Sequence, residues 1–209
     1  MEMESSPIGT RRLESLTDGV YAIAMTLLVL SITVPRFPPA AAAEELPRFL
    51  RYRLWPELSQ YVLAFITLAA FWVGHVQQYH HIRRISSNLL WLNNLTLLLV
   101  ALIPFTTAIA GDYGNIGIAV RIFELNLLLV GMVSYWHWAY ATRNHRLVDP
   151  GLSPEHIKNT RHGMLIIPLL SLAALLISLI SPDWSTSVYF LIPVFYHREK
   201  IRHRLEKKR

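Results

Sequence analysis

The chain has 209 residues, of which 53% are hydrophobic and only 16% charged, with a mean hydropathy of +0.33 and no cysteine. A soluble domain carries about 25% charged residues, so this composition, with its long uncharged runs, argues for several membrane spans. The missing cysteines exclude disulfides, thiolate catalysis and Cys-based metal sites. The formal net charge of +6 suggests nucleic acid only until the basic residues are located.

Residues 1–11 are polar. Thr10-Arg11-Arg12-Leu13 superficially matches a twin-arginine export signal, and Ala40–Ala43 offers a cleavage site, but Glu14 and Asp18 stand where such a signal needs apolar residues. Leu16 to Val34 reads instead as a first membrane helix, about 28 Å long, with an acid, Asp18, in its first turn. At 100° per residue, Leu16, Gly19, Ile23, Thr26, Leu27, Leu30 and Val34 project to one side. Thr17 and Asp18 project away, about 120–140° from Ile23, so the polar pair is expected to meet one neighbourhood and the aliphatic stripe another. A helix meeting only lipid has no use for that division.

In residues 35–57, Pro35, Pro38, Pro39, Pro47 and Pro56 exclude a continuous helix. A short amphipathic segment fits between Ala40 and Leu54, with Tyr52 and Trp55 at the membrane surface. A second span is expected from Leu58 to Gln78, then a polar turn with His80, His81, Arg83 and Arg84. A third runs from Asn88 to Ala110 and a fourth from Ile118 to Tyr140, where Arg121 and Glu124 are spaced to pair on one helix face. Residues 143–161 form a polar connection, turning at Asp149-Pro150-Gly151 and starting a helix at Ser153-Pro154-Glu155. A fifth span follows from Gly163 to Ile180, and a shorter sixth from Trp184 to Tyr196 containing Pro193.

Placing the N-terminus in the cytoplasm puts 15 Lys and Arg on the inner side and four, all in the first connection, on the outer side. The positive-inside rule then sets both termini in the cytoplasm of a multi-pass cell-membrane protein, as six spans require. Basicity concentrates in the tail, residues 197–209, where it serves as a topology anchor or an anionic-lipid contact. Nucleic acid is not an expected partner. The expected organisation is an N-terminal segment 1–15, a six-helix membrane domain 16–196 and a basic tail 197–209.

Nothing nominates an enzyme. His75 and the His80-His81 pair have the beginnings of a di-iron histidine box, but His137, His145, His156 and His162 supply no second box. No nucleophile elbow or phosphate loop occurs, and no cofactor or structural metal is expected. Asp18, an ionisable residue inside a span, needs a partner such as Arg12, His75, Asn93 or Asn94. Ile23, Leu27 and Leu30, at i, i+4 and i+7, read on spacing alone as a helix-packing seam.

Three spaced motifs resemble the transmembrane protein 175 family of lysosomal and prokaryotic potassium channels, in its prokaryotic single-repeat form. The family hallmark, Arg-x-x-x-Phe-Ser-Asp leading into Ala-Ile-Ala-x-Thr-Leu-Leu, reads here Arg12-x-x-x-Leu16-Thr17-Asp18 and then Ala22-Ile23-Ala24-Met25-Thr26-Leu27-Leu28. Leu16 and Thr17 replace the family's Phe and Ser. A Trp-x-x-His motif falls at Trp72 and His75, and Leu-Leu-Trp-Leu-Asn at Leu89 to Asn93, followed by Ile103-Pro104-Phe105 where the family has Leu-Pro-Phe. The match covers about the first 110 residues.

The resemblance implies an all-α membrane protein of six helices per subunit, assembled as a homotetramer around a pore lined by helix 1. It implies that Ile23 forms the constriction, that Thr26 bears on selectivity, and that Leu27 and Leu30 continue the lining. Potassium ions would then pass transiently near Ile23 and Thr26. By the same resemblance, Arg12, Leu16, Thr17 and Asp18 brace helix 1, supported by Trp72, His75, Trp91 and Asn93. A narrow apolar ring blocks water until it widens, and hydroxyls replace part of an ion's hydration shell. A secondary transporter, with repeats and broken helices at the midplane, and a non-conducting scaffold are the other readings the residues leave open.

Overall fold

A computed structural model describes residues 9–195. Among them no strand forms beyond one isolated bridge, and the elements are helices of very different lengths. Among the described residues, five helical segments are long and apolar enough to cross a membrane: Thr10–Ser31, Leu54–His81, Ser87–Asp112, Gly117–His145 and Pro154–Ser178.

Helix α1 (Thr10–Leu27) starts earlier than the sequence suggests and tightens into a 3-10 turn over Leu28–Ser31 before the chain extends at Ile32. Its buried residues, Leu13, Thr17, Tyr21 and Ala24, continue to Leu28 with helical spacing and face α3 (Leu54–His81) and α4 (Ser87–Ala101). The expected amphipathic segment is α2 (Pro39–Tyr52), opened by a proline where no N–H is needed and pinned by Phe49, whose ring meets Phe37 edge-on at 6.1 Å.

The third crossing is two helices, α4 and α5 (Ile103–Asp112), separated at Leu102. Pro104 explains the break: it has no N–H to donate, and its ring clashes with the preceding turn. The fourth crossing, α6 (Gly117–Thr142), is the central pillar, packed against α4, α5 and α8 (Ile166–Ser178). It ends where Asn144 and His145 take positive φ, 54° and 51°, a conformation Asn tolerates better than most residues. The expected helix start at Ser153 is present in α7 (Pro154–Met164), where the Ser153 hydroxyl accepts from the His156 N–H at 3.2 Å.

Helix α7 breaks at Leu165 before α8, and Pro168 lies in the first turn of α8. There the ring packs against Gly131 of α6 so closely that a Cβ on Gly131 would lie 2.5 Å from Pro168 Cγ. Only a glycine lets these two helices approach this far. The expected sixth crossing is not among the five long segments. Its described residues run from the short α9 (Pro182–Ser185) through a 3-10 stretch over Thr186–Leu191 into a helical turn over 192–195, while Tyr196 and the basic tail lie outside the described residues.

Candidate functional site

The two sides of α1 are treated oppositely by the fold. Thr17, Tyr21, Ala24 and Leu28 are sealed against α3 and α4. The stripe is left open: Leu16 is 51% exposed, Ile23 60% and Leu30 73%, with Gly19, Thr26 and Leu27 beside them. Apolar side chains also face outward on the other helices, as they do in a protein surrounded by lipid. What distinguishes α1 is that its open face carries a hydroxyl among the aliphatics. Thr26 donates that hydroxyl to the Ile23 carbonyl at 2.8 Å, so its proton is committed to the helix.

Thr17 and Asp18, expected to meet one neighbourhood, go to two. Successive helical residues diverge by about 100°, and that angle puts Thr17 inside and Asp18 on the exposed edge. Thr17 accepts from Asn93 Nδ2 at 3.3 Å. Asp18 accepts from the Trp72 indole N–H at 2.9 Å, a partner not foreseen for it although Trp72 was expected nearby. Arg12 is exposed and makes no ion pair with Asp18; the ion pairs among the described residues are Arg53–Glu57 and Arg83–Asp149. Trp91 is 73% exposed and Asn94 also faces outward, so neither joins the buried cluster.

That cluster is a polar chain through the helix bundle. Asn93 Oδ1 accepts from His75 Nε2 at 3.0 Å, and the Tyr79 hydroxyl lies 3.4 Å from the same oxygen. Tyr79 also reaches His137 Nε2 at 3.3 Å, and His137 Nδ1 donates to Gln78 Oε1 at 2.8 Å. The His75 and Tyr79 rings stack at 4.3 Å. Buried polar groups are tolerated only when partnered, and here α1, α3, α4 and α6 supply each other's partners. Beside the chain opens a cavity of about 330 Å³ lined in part by Glu14, Asp18, His75, Tyr79 and Arg83. His137, Tyr79 and Gln78 were not singled out as site residues. Helical spacing shows that Gln78 and Tyr79 continue the buried face of α3, but not that His137 of α6 stands opposite them.

His80, His81, His145 and His156 lie outside this chain of contacts. His81 and His156 meet edge-on at 4.6 Å, and His145 contacts the Leu152 carbonyl at 3.0 Å. The Ile82↔Val148 bridge and the Arg83–Asp149 pair at 3.3 Å close the α3–α4 turn against the α6–α7 connection. Asp149 is held below the ordinary Asp range, first by the Gly151 N–H it accepts at 2.9 Å and then by Arg83.

Together these features define a polytopic helical membrane protein whose first helix meets buried polar contacts on one side and leaves its other face uncovered. A family model described as "Endosomal/lysosomal potassium channel TMEM175" matches residues 12–104, which include the α1 stripe and the Trp72, His75 and Asn93 contacts. A potassium channel of Streptomyces collinus is 31% identical over 157 residues, covering 72% of this chain and 73% of that protein. The crystal structure of a lysosomal potassium-selective channel TMEM175 homologue from Chamaesiphon minutus superposes with a TM-score of 0.78 at 28% identity, over 91% of this chain and 97% of that one. The crystal structure of the potassium channel MtTMEM175 shares the fold alone, with a TM-score of 0.55 at 18% identity over 95% of this chain and 94% of that one. The chain belongs to the TMEM175 family.

Proposed function

We propose that this chain is one subunit of a potassium channel that conducts passively along α1. Family membership and the potassium-channel relatives support the activity. The observation that carries the pathway is the open stripe of α1. The subunit leaves Ile23, Thr26, Leu27 and Leu30 uncovered while sealing the opposite face of the same helix. One helix cannot enclose a pore, so the reading requires several copies, and a homotetramer gives a fourfold ring. In that ring Ile23 is the dewetting constriction, and Thr26 presents oxygen to a partly dehydrated ion one turn further. Asp18, with Arg12 of its own or a neighbouring chain, braces the helix.

Around this pore the reading keeps a membrane domain over 16–196, a sixth crossing after Pro182, and both termini in the cytoplasm of a cell-membrane protein, the basic tail 197–209 lying against anionic lipid or anchoring topology. The test is purified protein in liposomes under a potassium gradient. Potassium flux above sodium flux, abolished by Ile23→Trp and retained by Ile23→Val, supports the reading. Flux coupled to a second ion would make the protein a transporter, and no flux under any gradient a scaffold.

A further inference from the structure

Successive crossings bring three connections to one side of the bundle. Two of them, residues 113–116 and 179–181, have no Lys or Arg, whereas the first, from 32 to 53, carries Arg36, Arg48, Arg51 and Arg53. Arg53 is engaged by Glu57 at 3.4 Å. Arg48 and Arg51 of α2 are exposed and form no ion pair among the described residues, and the Arg51 guanidinium lies 5.7 Å over the Tyr52 ring. The two arginines share one side of the helix. At 100° per residue that side stands about 100–160° from Leu46 and Leu50, which are themselves exposed. Tyr52 and Trp55, both exposed, follow at the C-terminal end of α2, and Glu44 and Glu45 precede Arg48 by about one turn. The second half of α2 is therefore basic on one side and apolar on another.

The chain leaves little freedom over where this helix sits. Its 14 residues make about 21 Å, too short to cross a bilayer. Residues 32–38 lead to it from the end of the first long segment, and only Arg53 separates it from α3, against which it packs through the buried Phe49. Pro47 gives the Ala43 carbonyl no N–H, a loss that hydrocarbon leaves unanswered and the wet headgroup zone satisfies. Helix α2 is thus held where two spans leave the membrane. A short helix with a basic side, an apolar side and aromatic residues at one end suits that boundary. We propose that α2 is a phospholipid-binding helix, with Leu46 and Leu50 set in the acyl boundary and Arg48 and Arg51 holding lipid phosphate. Guanidinium forks match phosphate oxygens, and phosphate stands at this depth on every side of the protein. A second copy would have to bring carboxylates to the same two arginines. The contact ties the end of the α1 segment to the lipid surface through α2, and it holds whatever the protein conducts.

Because the chain has no cysteine, single nitroxide labels report on chosen positions alone. The test uses the full chain in liposomes of phosphatidylcholine, with or without phosphatidylglycerol, labelled at Leu46→Cys, Leu50→Cys or Glu44→Cys. It reads collisions of the label with oxygen, which concentrates in lipid, against collisions with a water-soluble nickel chelate. Labels at 46 and 50 should favour oxygen and the label at 44 nickel. Combining Arg48→Gln and Arg51→Gln should move the label at 50 toward water, and Arg48→Lys with Arg51→Lys should restore part of its depth. A shift in both lipid mixtures supports the proposal with phosphate itself as the ligand, and a shift only with phosphatidylglycerol supports it with an anionic headgroup. Nickel-accessible labels at 46 and 50, or a depth unchanged in the glutamine variant, overturn it. Labels shielded from both reagents also overturn it, because they would place a second copy over α2.

Discussion

The segments that begin with α1 and α6 are both long enough to cross a bilayer, yet 28% of the apolar window in the first is buried within the fold against 50% in the second. Helix α6 turns more of its surface inward, on α4, α5 and α8, although Ile118, Ile122, Leu125 and Leu129 still face outward, and it carries close-packed features such as Gly131 against Pro168 and the Asn126–Thr106 hydrogen bond at 3.2 Å. Helix α1 spends one face inward and holds the other back. Substitutions in α6 and in the cluster behind α1 should therefore act on stability, whereas substitutions on the open face of α1 should act on conduction or assembly.

The largest expected effect is at Asn93. Asn93→Leu removes the partner of His75 and Thr17 at once, leaving orphaned groups at about 1–3 kcal/mol each, read as a lower unfolding temperature. Close behind, Gly131→Ala drives a Cβ into a proline ring that cannot swing aside. That overpacking should destabilise by about 1–3 kcal/mol, and a wild-type unfolding temperature in this variant would show that α6 and α8 separate easily.

On the edge of α1, Asp18→Ala deletes the bond to Trp72, worth about 1 kcal/mol to the isolated subunit. Its main expected consequence is loss of oligomer in detergent. An intact oligomer with altered ion preference would make Asp18 an ion site. Ile23→Ala belongs to the open face and should change stability by no more than about 0.5 kcal/mol while raising conductance or weakening cation discrimination. A substantial stability loss would erase the contrast between the two helices.

The smallest effect is expected at Asp149, whose side chain is only partly covered. Because Gly151 and Arg83 depress its folded-state pKa, its contribution is present above the ordinary Asp range and is lost as pH falls through the lowered value. Asp149→Asn should thus differ from wild type at neutral pH and converge with it in acid, as followed by thermal unfolding.

Much of this architecture is written in residue spacing. The runs that become the five long segments, the proline-rich connection with its amphipathic α2, and the Ser153 helix start are all local properties, set by hydropathy, capping and the missing proline N–H. The stripe of α1 was legible for the same reason. A projection about one axis finds which residues share a side, and Leu16, Gly19, Ile23, Thr26, Leu27 and Leu30 do share the open one.

What a single-axis projection lacks is the identity of the neighbour. It grouped Thr17 with Asp18, because both point away from Ile23, but could not see α4 on one flank and α3 on the other. It paired Arg121 with Glu124 on i, i+3 spacing, whereas the packing of α8 and α9 encloses the acid and leaves the arginine over Gly117. It offered Asp18 a choice of Arg12, His75, Asn93 or Asn94, whereas the packing gives Asp18 the Trp72 indole and joins His75 to Asn93, with Tyr79 and His137 alongside. The chain by itself determined where its helices lie and which side of α1 stays apolar, since those follow from contacts within a few residues. Which polar group answers which was decided by tertiary structure, because a buried donor or acceptor takes its partner from whatever helix the fold places opposite it.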